Sequence, residues 1–117
     1  MIGPVLVVFV ALIHGYFLVL EMFRWEAPRT RRIFGTTPEF ASESKVMAAN
    51  QGLYNGFLAA GLLYGLVMGV GDGQMVAFLL LCVAVAGIYA ALCGIKAALY
   101  AQTVPAALAL VALFLNI

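Results

Sequence analysis

The sequence predicts an all-α membrane protein. The expected architecture is a four-transmembrane-helix bundle with a long cytoplasmic loop between helices 1 and 2, and with the N- and C-termini outside. Three observations predict it. The 117 residues are 66% hydrophobic and only 9% charged, with a mean hydropathy of +1.12. A soluble domain of this length needs far more surface charge. Four apolar segments, at 2–23, 46–70, 74–95 and 98–116, approach the roughly 20 residues that cross about 30 Å of hydrocarbon as a helix. The six Lys and Arg side chains all fall on one side of the resulting topology.

The first segment lacks a basic start, and its apolar run is longer than that of a secretory signal, so it reads as a retained span. After it comes the one long hydrophilic stretch, "RWEAPRTRRIFGTTPEFASESK", at 24–45. Its "TTPEF" has the form of a helix start, with Thr37 as N-cap, Pro38 at the first position and Glu39 in the first turn. The second helix is therefore expected to begin near Pro38 and to project from the membrane before entering it. "VGDGQ" (70–74) is a tight polar turn whose glycines permit positive φ. A short turn around Gly94 to Ala97 closes the third span. In the fourth, Pro105 either kinks the helix or marks the start of its straight part. Nothing separates two cores, so 1–117 reads as a single membrane domain.

Orientation follows from charge. Arg24, Arg29, Arg31, Arg32 and Lys45 lie in the long loop and Lys96 in the third-to-fourth turn, while the other side carries Asp72. The positive-inside rule puts the loop in the cytoplasm and both termini outside, with Trp25 as an interfacial anchor. "RTRR" beside a membrane points to anionic lipid headgroups at Arg29, Arg31 and Arg32 rather than to nucleic acid.

With orientation set, the polar side chains share one depth. Glu21 lies near the cytoplasmic boundary, and His14 lies about 10 Å deeper on the same helix face. Asn50, Gln51, Tyr54 and Asn55 occupy the first turns of the second span. Tyr89, Gln102 and Tyr100 lie at the cytoplasmic ends of the third and fourth spans. The four positions from Asn50 to Asn55 fall within an arc of roughly 140°, which the glycine stripe Gly61, Gly65, Gly69 continues; Gly52 and Gly56 form a second small face. A continuous channel would need polar lining across the whole span. The pattern therefore predicts a pocket open to the cytoplasm and sealed toward the outside. His14 and Glu21 are its candidate catalytic groups, and Asn50, Gln51, Tyr54, Asn55, Tyr89 and Gln102 its candidate ligand-binding groups.

Each feature also has a structural reading. His14 and the amides can be interhelical glue, Glu21 can pair with Arg24, the tyrosines can be belt aromatics and the glycines can serve packing. Those readings do not account for the one-sided depth of the whole set. No metal-ligand cluster, phosphate loop or nucleophile motif occurs, so no cofactor is expected. Three functions stay open: a pocket that binds or transforms a small amphipathic, lipid-like ligand; a small proton-coupled transporter, which with four spans would need to be a homodimer; and a non-catalytic accessory membrane protein.

At "LEMFRW", "FGTTPEF" and "ANQGLYNGFLAAGL" the chain resembles the small bacterial membrane proteins grouped as domain of unknown function family 1304. The likeness covers nearly the whole chain, including the His14–Glu21 spacing and the late "QTVPA". It implies a four-span membrane protein and little about activity. The family motifs fall on Glu21, Asn50, Gln51, Tyr54 and Asn55.

Overall fold

The computed structural model describes residues 1–117 and is all-helical, with five α-helices and no strand. These are α1 (Ile2–Phe23), α2 (Pro28–Phe34), α3 (Pro38–Met68), α4 (Gln74–Leu92) and α5 (Val104–Phe114). A 3₁₀ turn, Val70–Gly73, joins α3 to α4, and a π-helical turn, Leu99–Thr103, precedes α5. Two helical segments, Ile2–Phe23 and Val70–Leu92, are long and apolar enough to cross a membrane, and Leu99–Phe114 is a shorter apolar segment. At 31 residues α3 has the length, but Asn50, Gln51 and Asn55 dilute its apolar character.

The ends of the helices follow local chemistry. Thr37 caps α3: its Oγ1 accepts a hydrogen bond from the backbone N–H of Phe40 at 3.1 Å, one of the four donors a helix start leaves unsatisfied. α4 stops at Leu92, short of the expected 95, because Gly94 takes a left-handed conformation (φ 104°). The Ile95 and Gly94 N–H groups then fold back to the carbonyls of Ala90 and Ala91, the closure that a glycine past a helix end permits. The fourth apolar segment is not one regular helix. Pro105 cannot donate a backbone hydrogen bond and would crowd the carbonyl four residues earlier, so the chain widens into the π turn and α5 starts beside Pro105. Of the two readings of Pro105, the start of the straight part is the one observed.

The long loop is not irregular. It carries α2, which Pro28 opens and Gly35, left-handed at φ 69°, closes. The N–H of Thr36 returns to the Arg31 carbonyl at 3.0 Å. Pro at the first position and Gly just past the end are the signals of such a helix. They are legible in "APRTRRIFG", and the reading of 24–45 as loop passed over them.

The chain forms two compact units, Met1–Ile13 with Leu58–Ile117, and His14–Phe57. In the first, Val7, Val10 and Ala11 of α1 pack with Leu62 of α3, Val76, Leu80, Val83 and Ala84 of α4, and Ala106 and Ala109 of α5. Small residues set the spacing. Ala106, Ala109 and Ala112 are buried on α5, and Gly61 and Gly65 of α3 meet Leu79 and Val76 of α4, the close approach that small residues allow between helices. The tightest point is Gly87 on α4. The Thr103 hydroxyl there donates to the Ala84 carbonyl at 2.9 Å and lies where a side chain on Gly87 would stand.

In the second unit the end of α1, all of α2 and the start of α3 surround the buried residues Leu20, Glu21, Thr30, Ala41 and Ala48. Phe34 of α2 packs edge-on to Phe17 at 6.4 Å and tilted against Trp25 at 5.0 Å. The Trp25 indole N–H donates to Ser44 Oγ at 3.1 Å. Trp25, expected as an interfacial anchor, thus also ties the segment after α1 to α3. Such a bond satisfies the one polar atom of an otherwise apolar ring.

Candidate functional site

The second unit holds the polar side chains of interest. Glu21, two turns past His14 on α1, is 5% exposed. The Asn55 carboxamide donates to its Oε1 across 2.5 Å. Two glycines make this possible. A Cβ on Gly52 would stand 2.7 Å from Met22 Cγ and 3.0 Å from Glu21 Cβ, and one on Gly56 would stand 2.4 Å from Leu18 Cδ1. α1 therefore lies against the Gly52/Gly56 face of α3, and Asn55, between those glycines in sequence, reaches the carboxylate. A buried carboxylate without a donor is costly, so the pair is a stabilising element as well as a polar site.

Sequence reasoning grouped Asn50, Gln51, Tyr54 and Asn55 as one arc. Within the chain only Asn55 turns toward Glu21, and Asn50, Gln51 and Tyr54 are exposed. His14 is fully buried and stands edge-on to Phe17 at 6.1 Å. Tyr89 and Gln102 belong to the first unit, Tyr89 exposed near the end of α4 and Gln102 half-buried in the π turn.

A groove of about 590 Å³ opens beside Glu21. Its walls combine the carboxylates of Glu21 and Glu26, the cations of Arg24 and Lys45, and the apolar Phe23 and Val46. Trp25 also lines it. Sequence reasoning used Lys45 to orient the chain, and Arg24 both for that and as a possible partner of Glu21 on the next turn. Nothing local marks them as neighbours, because they approach only when α3 packs on α1. The groove thus sets two cations beside an apolar flank, with two carboxylates on the same wall.

Removing the Asn55 carboxamide leaves Glu21 without that donor. Asn55→Ala is expected to cost about 1–2 kcal/mol, between the value of a charge-assisted hydrogen bond and that of a polar contact between membrane helices. Glu21→Gln, which keeps an acceptor at the same place, is expected to cost less. Thermal unfolding of the purified variants in detergent measures both.

The fold and the polar groups define a class first: an all-helical protein with two helices long and apolar enough to span a membrane. The family described as "Protein of unknown function (DUF1304)" matches residues 8–114, and the chain belongs to it. The uncharacterized protein YpaA of Lactococcus lactis subsp. lactis is 31% identical over 112 residues, 94% of each chain. No solved structure matches the chain.

Proposed function

We propose that this chain is a multi-pass protein of the bacterial cytoplasmic membrane whose groove beside Glu21 binds the head of a small amphipathic, lipid-like molecule. In this reading α1, α3, α4 and the Leu99–Phe114 segment cross the membrane. The segment from Arg24 to Lys45 faces the cytoplasm, and both termini lie outside. The one-sided charge supports the orientation. An even number of crossings agrees with the Ile2 N–H donating to the Ile117 carbonyl at 2.7 Å. Arg29 and Arg32, exposed on α2, rest against anionic headgroups. Arg31, half-buried, sends its Nε to the Glu26 carbonyl at 3.2 Å and turns its remaining donors the same way.

The groove carries the proposal. It lies at the end of α1, where headgroup and acyl chain meet in this orientation. Arg24 and Lys45 attract an anionic head, and Phe23 and Val46 flank the first methylenes of the chain. Glu21 and Glu26 disfavour a head with a high density of negative charge.

Trp25 is the sole tryptophan of the chain and lines the groove, so it reports occupancy directly. In nanodiscs, brominated phosphatidylglycerol is expected to quench Trp25 fluorescence about twofold or more beyond brominated phosphatidylcholine. An Arg24→Gln/Lys45→Gln variant is expected to erase that preference, because exposed cations at a headgroup contribute about 1 kcal/mol each. Equal quenching by both lipids in the unaltered protein would sink the reading.

A further inference from the structure

We infer that two copies of this chain pair through one face of α3, with Asn50 inside the contact. The inference rests on the membrane reading above and not on the groove. In the second unit α3 turns Met47, Asn50, Tyr54 and Phe57 outward. Met47 is 77% exposed, Tyr54 62% and Phe57 58%, and Asn50 is exposed as well. Their spacing of three, four and three residues places them on one stripe about 80° wide. It is the spacing of a seam between two parallel helices. In the sequence Tyr64 and Met68 lie on the same line farther along the helix, and both are exposed. The Tyr54 and Phe57 rings meet edge to face at 5.8 Å and 88°, which gives the stripe a defined relief.

Lipid is a poor cover for this face. Asn50 comes five residues after Lys45, the last cation before the span, and so lies about 7–8 Å deeper along the helix. Its side chain is too short to carry the amide back to the headgroups, as a lysine or arginine does. Hydrocarbon supplies neither donor nor acceptor, and an amide left without one there is costly. Asn55 meets the same difficulty by bonding Glu21. Asn50 makes no side-chain hydrogen bond within the chain.

A second copy meets each requirement. Copies inserted by the same charge rule share one orientation, so α3 meets α3 in parallel about a two-fold axis along the membrane normal. Each residue on that axis then faces its own counterpart. A carboxamide both donates and accepts, so Asn50 is complementary to itself. The exposed stripe carries no Lys, Arg, Asp or Glu from Met47 to Phe57, so self-pairing brings no like charges together. Met47, Tyr54 and Phe57 pack on either side, while the paired amides set the register.

The test reads the stripe residue by residue. The cysteine substitutions Asn50→Cys, Tyr54→Cys, Phe57→Cys, Gln51→Cys and Leu53→Cys are introduced singly in a chain carrying Cys82→Ser and Cys93→Ser. Membranes from the expressing cells are washed with alkaline carbonate and oxidised with copper–phenanthroline. Disulfide-linked dimers are expected at 50, 54 and 57, with yields at least about fivefold above those at 51 and 53. Adding Asn50→Leu to Tyr54→Cys is expected to lower the yield about fivefold, in the range of one interhelical polar contact. Equal yields at all five positions, no linked dimer, or adducts of a different mass would each overturn the pairing. Release of the chain by carbonate would overturn the membrane reading and the pairing with it. A carbonate-resistant chain without the stripe pattern would overturn the pairing alone.

Discussion

Gly87→Leu is expected to lower the thermal midpoint of the protein strongly. A Cβ at Gly87 would stand 2.2 Å from Thr103 Oγ1, and 2.9 Å from both the Ala98 carbonyl oxygen and the Thr103 backbone nitrogen. A hydroxyl can rotate away, but two backbone atoms of the segment leading into α5 cannot. The remaining leucine atoms would drive that segment from α4 and break the hydrogen bond from Thr103 to the Ala84 carbonyl. Overpacking of a filled site costs about 1–3 kcal/mol and sometimes more. With backbone as the obstacle, the upper end applies, a drop of roughly 10 °C in the thermal midpoint. Adding Thr103→Ala is expected to recover only part of it, because the backbone contacts persist. Gly15→Ala provides the comparison. Nothing lies within 4 Å of that position, so alanine is expected to leave the midpoint unchanged or raise it, by up to about 1 kcal/mol of helix propensity. Circular dichroism melts in detergent test the set, and a Gly87→Leu midpoint equal to that of the unaltered protein would contradict the packing described.

The second large effect is at Gly52, where packing and site meet. Its Cβ position is 2.7 Å from Met22 Cγ, 3.0 Å from Glu21 Cβ and 3.2 Å from the Leu18 carbonyl oxygen. The Met22 side chain can swing aside, so Gly52→Ala is expected to be mild. Gly52→Leu must move the helices apart against the Leu18 backbone, at a cost of about 1–3 kcal/mol. It should also carry Asn55 out of reach of Glu21 and spread the groove, so the quenching preference for brominated phosphatidylglycerol is expected to disappear. Non-additivity provides the sharper check. Once Gly52→Leu has broken the Asn55–Glu21 bond, a further Asn55→Ala should cost far less than the same change alone. Full additivity of the two costs would mean that Gly52 does not position the pair.

Some of this was legible in the residues themselves. "TTPEF" marks the start of α3 because capping uses atoms within three residues of one another. "VGDG" marks a turn, and the backbone is indeed left-handed at Gly71, Asp72 and Gly73. Gly52 and Gly56 stood out as a small-residue face. α2 was legible too, from Pro28 and Gly35, yet its dense charge made a loop the natural reading. The Asn50–Asn55 arc is a different case. Helical angles place its four side chains on one broad side of α3, but they do not say which edge of that arc meets α1. The two glycine faces answered that: Gly52 and Gly56 turn to α1, so Asn55 goes inward and Asn50, Gln51 and Tyr54 stay outward.

By itself the sequence determined the helical class, the main turns and caps, and the set of polar residues from which a site could be built. Those properties reside in composition, in the 3.6-residue period and in contacts between near neighbours. Only the tertiary structure decided that Asn55 rather than Asn50 meets Glu21, that Lys45 and Arg24 share a groove with it, and that Gly87 is where Thr103 must pass. Each of these joins residues far apart in the chain, and the rotation of one helix against the next is set by how closely glycines let the backbones approach.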